Sequence, residues 1–60
     1  MLNIGIRVDG SANIGMGHIM RCLSLAKGFR NAGDNVFFLS RFEQGISRIR
    51  QDEFEVIEMP

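Results

Sequence analysis

Cysteine, histidine and proline each occur once in these 60 residues, as Cys22, His18 and Pro60. A lone cysteine excludes an internal disulfide, and its place in a helical apolar pattern reads as a small buried hydrophobe in a reducing compartment. One histidine with one cysteine four residues on, amid scattered acids, does not make a metal-ligand set, so no metal and no cofactor is expected. No run of eighteen apolar residues occurs, and no basic stretch leads into a short apolar one. The expectation is therefore a soluble, cytoplasmic protein with no membrane partner. Net charge is lacking too. Seven basic residues balance seven acidic ones, which gives no argument for nucleic acid or an acidic membrane surface.

What is present is ordinary globular material. Hydrophobic residues make up 45% of the chain and charged residues 23%, which separates it from disordered sequences. Sixty residues allow at most one small domain, near the lower limit for burying a core. The balanced charge is unevenly spread. Residues 1–50 carry seven bases against three acids, and residues 51–60 carry four acids and no base. A mild positive bias therefore falls on the amino-terminal fifty residues.

The pattern is βαβαβ. Leu2, Ile4, Ile6 and Val8 alternate with Asn3, Gly5 and Arg7, which predicts a first strand over 2–8. Gly5 there would let a helix pack close to the sheet. Ile19, Cys22, Leu23, Ala26 and Phe29 keep 3–4 spacing and predict a helix over 17–32. Leu25 falls at the edge of its buried face, and Lys27, Arg30 and Asn31 on the wetter side. Gly33 suits the position just past its end, and Arg30 its last turn. Val36-Phe37-Phe38-Leu39 is the unbroken apolar run of a parallel strand covered on both faces. Phe42, Ile46 and Ile49 mark a weaker helix over 42–51, and 54–59 a third strand closed by Pro60.

This order is half of a doubly wound, Rossmann-like fold with a parallel sheet. Two such crossovers put both helices on one face and leave the other apolar and bare. The expectation is a partial amino-terminal domain over 1–60 of a larger protein, its carboxyl-terminal nucleotide-binding domain absent. The alternative is self-association through the exposed sheet face.

The chemistry gathers between Arg7 and Ala26, where a strand end, a glycine-rich turn and a helix start meet. Gly10 and Gly15 have the separation of a Walker-type phosphate loop, but Met16-Gly17 replaces the required lysine and hydroxyl. A dinucleotide fingerprint needs a third glycine where Met20 stands. His18 sits in the first helical turn, beside unpaired backbone N–H groups. The positive end of a helix dipole favours a neutral imidazole, the form able to accept a proton. Gly15 and Gly17 let backbone approach a ligand, and Asp9 could orient the ring or hold a sugar hydroxyl. A general base beside an anion-friendly turn suits hydrolysis or transfer at a sugar carbon bearing a diphosphate.

Ile6-Arg7-x-Asp9-x-Ser11-x-x-Ile14-Gly15-x-Gly17-His18-x-x-Arg21-Cys22-Leu23-x-Leu25-Ala26 resembles the amino-terminal signature of the UDP-sugar hydrolases of pseudaminic acid biosynthesis. That group is related to proteins of spore coat polysaccharide synthesis. Gly-x-Gly-His is also similar to the turn of the lipid II N-acetylglucosaminyltransferase, a GT-B protein, and Val36 to Arg41 fits the family's second strand. Gly10 departs from the alanine expected in this signature.

The resemblance implies loss of UDP from a 2,4-diacetamido-2,4,6-trideoxy hexose by attack of water at the anomeric carbon. It implies His18 as general base, with Asp9, Gly15, Gly17 and Arg21 binding the UDP-sugar. Most nucleotide contacts would come from the carboxyl-terminal domain, so this chain alone is expected to be inactive. Arg7, Arg21 and Arg41 either contact substrate or serve solvation and pairing with Asp9. The alternatives are a GT-B glycosyltransferase fragment, with a hydroxyl in place of water, and a non-catalytic interaction module.

Overall fold

Alternation and helical spacing produce the elements where the sequence puts them. The computed structural model describes residues 1–9 and 16–60. Strand β1 spans Asn3–Arg7, helix α1 Met16–Asn31, strand β2 Asn35–Ser40, helix α2 Glu43–Gln51 and strand β3 Glu55–Glu58. Elements β1, α2 and β3 are shorter than expected, α1 is shifted by one residue, and β2 extends one residue beyond its apolar run at each end. The three strands are parallel in the order β1-β2-β3. Small α/β architecture with three parallel strands and two helices is thus established, and it has the form of a Rossmann-like half.

Register assigns the faces. Ile4 pairs with Val36 and Ile6 with Phe38, while Phe38 pairs in turn with Val56. These side chains point toward the helices, where Ile19, Leu23 and Ala26 of α1 and Ile46 and Ile49 of α2 complete the core. Phe38 is fully buried at the centre and meets the Phe54 ring edge-on, with centroids 5.3 Å apart. Both helices lie on this one face. On the other face Phe37 and Leu39 are half-buried and Ile57 is exposed. The apolar run of β2 is therefore covered on one side, not two.

Several expectations need correction. Leu2 lies outside β1 and is 64% exposed, since it precedes the residues that pair with β2 and no core residue among those described packs over it. Leu25 is exposed rather than at the margin of the core. Phe42 is the N-cap of α2, in extended conformation and 40% exposed, so the buried stripe of that helix is Ile46 and Ile49. Phe54 is buried but precedes β3. Gly5 makes room for an aromatic ring, not for a helix. A Cβ there would lie 2.8 Å from Cζ of Phe37, on the neighbouring strand and the helix-free face.

Lys27, Arg30 and Asn31 are exposed, as the wetter side of α1 should be, and two of them also make a long-range tie. Lys27 and Arg30 face the second helical unit and close on Asp52, just after α2. Lys27 Nζ lies 2.9 Å from Asp52 Oδ2, and Arg48 Nη1 lies 2.9 Å from Oδ1. Arg30 donates to the Asp52 carbonyl at 3.1 Å and stacks 4.0 Å above the Phe54 ring. The Asp52 carboxyl is held below its ordinary value, first by its hydrogen bond from Lys27 and then by that from Arg48. Lys27, Arg30, Gln51, Asp52 and Glu53 line an open polar groove. Its charges are consumed in fastening α1 to α2.

Candidate functional site

Parallel strands that share a direction deliver their carboxyl ends to one edge, and the helix that follows each strand starts there. Three hydrogen bonds knit this edge, two of them backbone to backbone. Val8 donates to the Leu39 carbonyl at 3.1 Å, and Met59 to the Ser40 carbonyl at 2.8 Å. The Arg41 amide donates to Asp9 Oδ1 at 3.2 Å, bridging the ends of β1 and β2. Asp9 therefore has a structural task. Its second oxygen lies 3.9 Å from Arg7 Nε, the pairing that gives Arg7 a role apart from substrate.

His18 is the third residue of α1 and is exposed. The first residues of a helix have backbone N–H groups without intrahelical partners, so an exposed imidazole there sits beside donors suited to an anion. Gly17 precedes it, and among the described residues nothing lies within 4 Å of where a Cβ would stand. Arg21 is exposed, one turn further on. Gly15, with the rest of the turn over 10–15, lies outside the described residues, as do Ser11 and Ile14 of the signature. Thus Asp9 and the start of α1 share the carboxyl edge, and Gly17, His18 and Arg21 share the first turn and a half of that helix. No hydrogen bond links Asp9 to His18 among the described residues.

Ser40 closes β2. It is fully buried, and its Oγ has no hydrogen-bond partner among the described residues. The signal was available in outline: a hydroxyl closing an apolar strand must either find a partner or bear the cost of desolvation. Cys22 is a free thiol packed against the core, but it is half-buried rather than buried as its place in the apolar pattern suggests. Among the described residues no three His, Cys, Asp or Glu side chains gather as a metal site would need, and no helix is long and apolar enough to cross a membrane.

Comparison with known proteins gives one informative likeness. An uncharacterized protein of Methanocaldococcus jannaschii is 41% identical over 58 residues, which cover 93% of this chain and 12% of that protein. The chain thus spans about an eighth of the length of the curated relative it matches. No family model matches the sequence, and no solved structure does.

Proposed function

We propose that this chain is the sugar-end half of a UDP-sugar hydrolase active site in a GT-B-type amino-terminal domain. The observation that carries the reading is the exposed His18 in the first turn of α1, at the sheet edge where parallel strands end. Asp9 lies at that same edge.

In the reaction, water attacks the anomeric carbon of a 2,4-diacetamido-2,4,6-trideoxy hexose, and the bond to the UDP oxygen breaks. His18 accepts the proton from water as the carbon–oxygen bond forms, and UDP leaves with the bonding pair. Negative charge growing on the diphosphate is stabilised by backbone N–H groups at the helix start and by Arg21. Gly17 and Gly15 let backbone reach the ligand, and Asp9 holds a sugar hydroxyl while it bridges the strand ends. Nucleotide recognition belongs to a second domain, so these sixty residues alone have no turnover.

The test is made in a protein that joins this segment to its nucleotide-binding half. His18→Asn should lower kcat at least roughly a hundredfold while KM changes little, the loss expected of a proton acceptor. Near-normal turnover in that variant would remove His18 from the mechanism. Product analysis addresses the reaction class: free hexose and UDP without an acceptor identify hydrolysis, whereas a requirement for an acceptor hydroxyl identifies glycosyl transfer.

A further inference from the structure

The start of α2 gathers three kinds of hydrogen-bond donor that have no partner among the described residues. The first is main chain. Phe42 caps the helix in extended conformation without a side-chain hydrogen bond. The Ile46 amide is the first of α2 to reach a carbonyl of its own helix, donating to Phe42 at 3.0 Å. The amides of Glu43, Gln44 and Gly45 are therefore left over at the positive end of the helix.

The second is Arg41. Asp9 fixes its backbone, accepting from the Arg41 amide at 3.2 Å. Its guanidinium has neither ion pair nor hydrogen bond among the described residues. Residues 10–15 contain no carboxylate that could supply one. Arg7, Lys27, Arg48 and Arg50, by contrast, each face a carboxylate.

The third is Ser40. Val36, Phe38 and Ser40 alternate onto the helix side of β2, and all three are buried. The Ser40 side chain, at 0% exposure, thus points into the layer where α2 begins three residues later. Its unpaired Oγ lies at the floor of that junction.

We propose that this junction is a phosphoryl-binding subsite, in which the Glu43–Gly45 amides, the Arg41 guanidinium and Ser40 Oγ hold the oxygens of one phosphate group. Backbone donors at a helix start and a planar guanidinium fork are the groups that suit such an oxyanion, and the serine hydroxyl gains the partner it lacks. Glu43, exposed in the first turn, is the counterweight, because its charge opposes an anion there. The subsite makes no use of His18, so it stands or falls apart from the hydrolase reading.

Inorganic phosphate is titrated into the 60-residue chain at constant ionic strength, with NMR shifts followed and chloride as the control. Saturable shifts should appear at the amides of Glu43, Gln44 and Gly45 and at Arg41 Nε. Arg41→Ala should weaken binding about tenfold, and Arg41→Lys should recover only part, since an ammonium keeps the charge without the fork. Ser40→Ala should weaken binding about threefold without lowering the melting temperature, because it also removes an unpaired buried hydroxyl. A serine with a purely structural role would give the reverse. Glu43→Gln should tighten binding about twofold. Methyl phosphate distinguishes the sources: equal affinity marks a subsite for an esterified ligand, and preference for inorganic phosphate one for the free ion. Shifts that grow in proportion with chloride as with phosphate overturn the proposal. So do shifts gathered at α1 instead, or an affinity that neither Arg41→Ala nor Ser40→Ala changes.

Discussion

Two single residues end the helices in the same left-handed conformation, and they bear it differently. Gly33 after α1 has φ +94°, at no steric cost, while Glu53 after α2 has φ 65° with a full side chain. Both positions are fixed by C-terminal hydrogen bonds: Gly33 N to Arg30 O at 3.0 Å, and Glu53 N to Arg50 O at 2.9 Å. Glu53→Gly should therefore stabilise the fold by roughly 0.5–1 kcal/mol, since relief of the left-handed strain outweighs the added freedom of the unfolded chain. Urea denaturation measures it, and a loss of stability would show that the Glu53 side chain contributes more than its backbone costs. The sequence made Gly33 legible because glycine advertises a positive φ. Glu53 advertises nothing, and only the closing geometry of α2 reveals its strain.

Among the elements, the buried stripe and the wetter side of α1 are both legible in the sequence, and the partner of its charges is not. Ile19, Leu23 and Ala26 follow from 3–4 spacing alone. Lys27 and Arg30 look like solvated charges until the loop after α2 brings Asp52 beneath them, a long-range contact that no local pattern contains. The candidate site divides in the same way. His18 and Gly17 were legible from local order, and Asp9 from turn chemistry. The Asp9 link to the Arg41 amide depends on strand pairing, and the burial of Ser40 on the packing of the whole chain around it.

The Asp52 tie also sets an acid response. Its carboxyl is more acidic folded than unfolded, so the stabilisation is complete above the unfolded value near 3.8 and is lost as pH falls through the lower folded value. Thermal melts should show stability declining below about pH 4. Asp52→Asn should be less stable at neutral pH and should flatten that decline. An unchanged acid limb in the variant would assign it to other carboxylates.

At the scale of the whole molecule, one face of a three-stranded sheet supports everything. Phe38 is the middle residue of that layer, buried to 0% exposure and in contact with the Phe54 ring. Phe38→Ala should cost about 3–5 kcal/mol, comparable with the entire stability of so small a domain. Circular dichroism at 25 °C should show the variant largely unfolded, and a cooperative melt near the parent temperature would mean that the helices collapse to fill the space. The one-sided core follows from βαβαβ order and right-handed crossovers, and that much could be read before any coordinates. The use of Gly5 could not, because it depends on which ring of the adjacent strand crosses it.

The stacking of Arg30 on Phe54 has a spectroscopic consequence. The chain contains neither tryptophan nor tyrosine, so near-ultraviolet absorbance and intrinsic fluorescence report almost nothing of its folding. A guanidinium held 4.0 Å above a phenyl ring lies inside the ring's shielding cone. The Arg30 side-chain protons should resonate upfield of those of the other arginines, giving the docked helix pair its own NMR signal in a protein without tryptophan or tyrosine fluorescence.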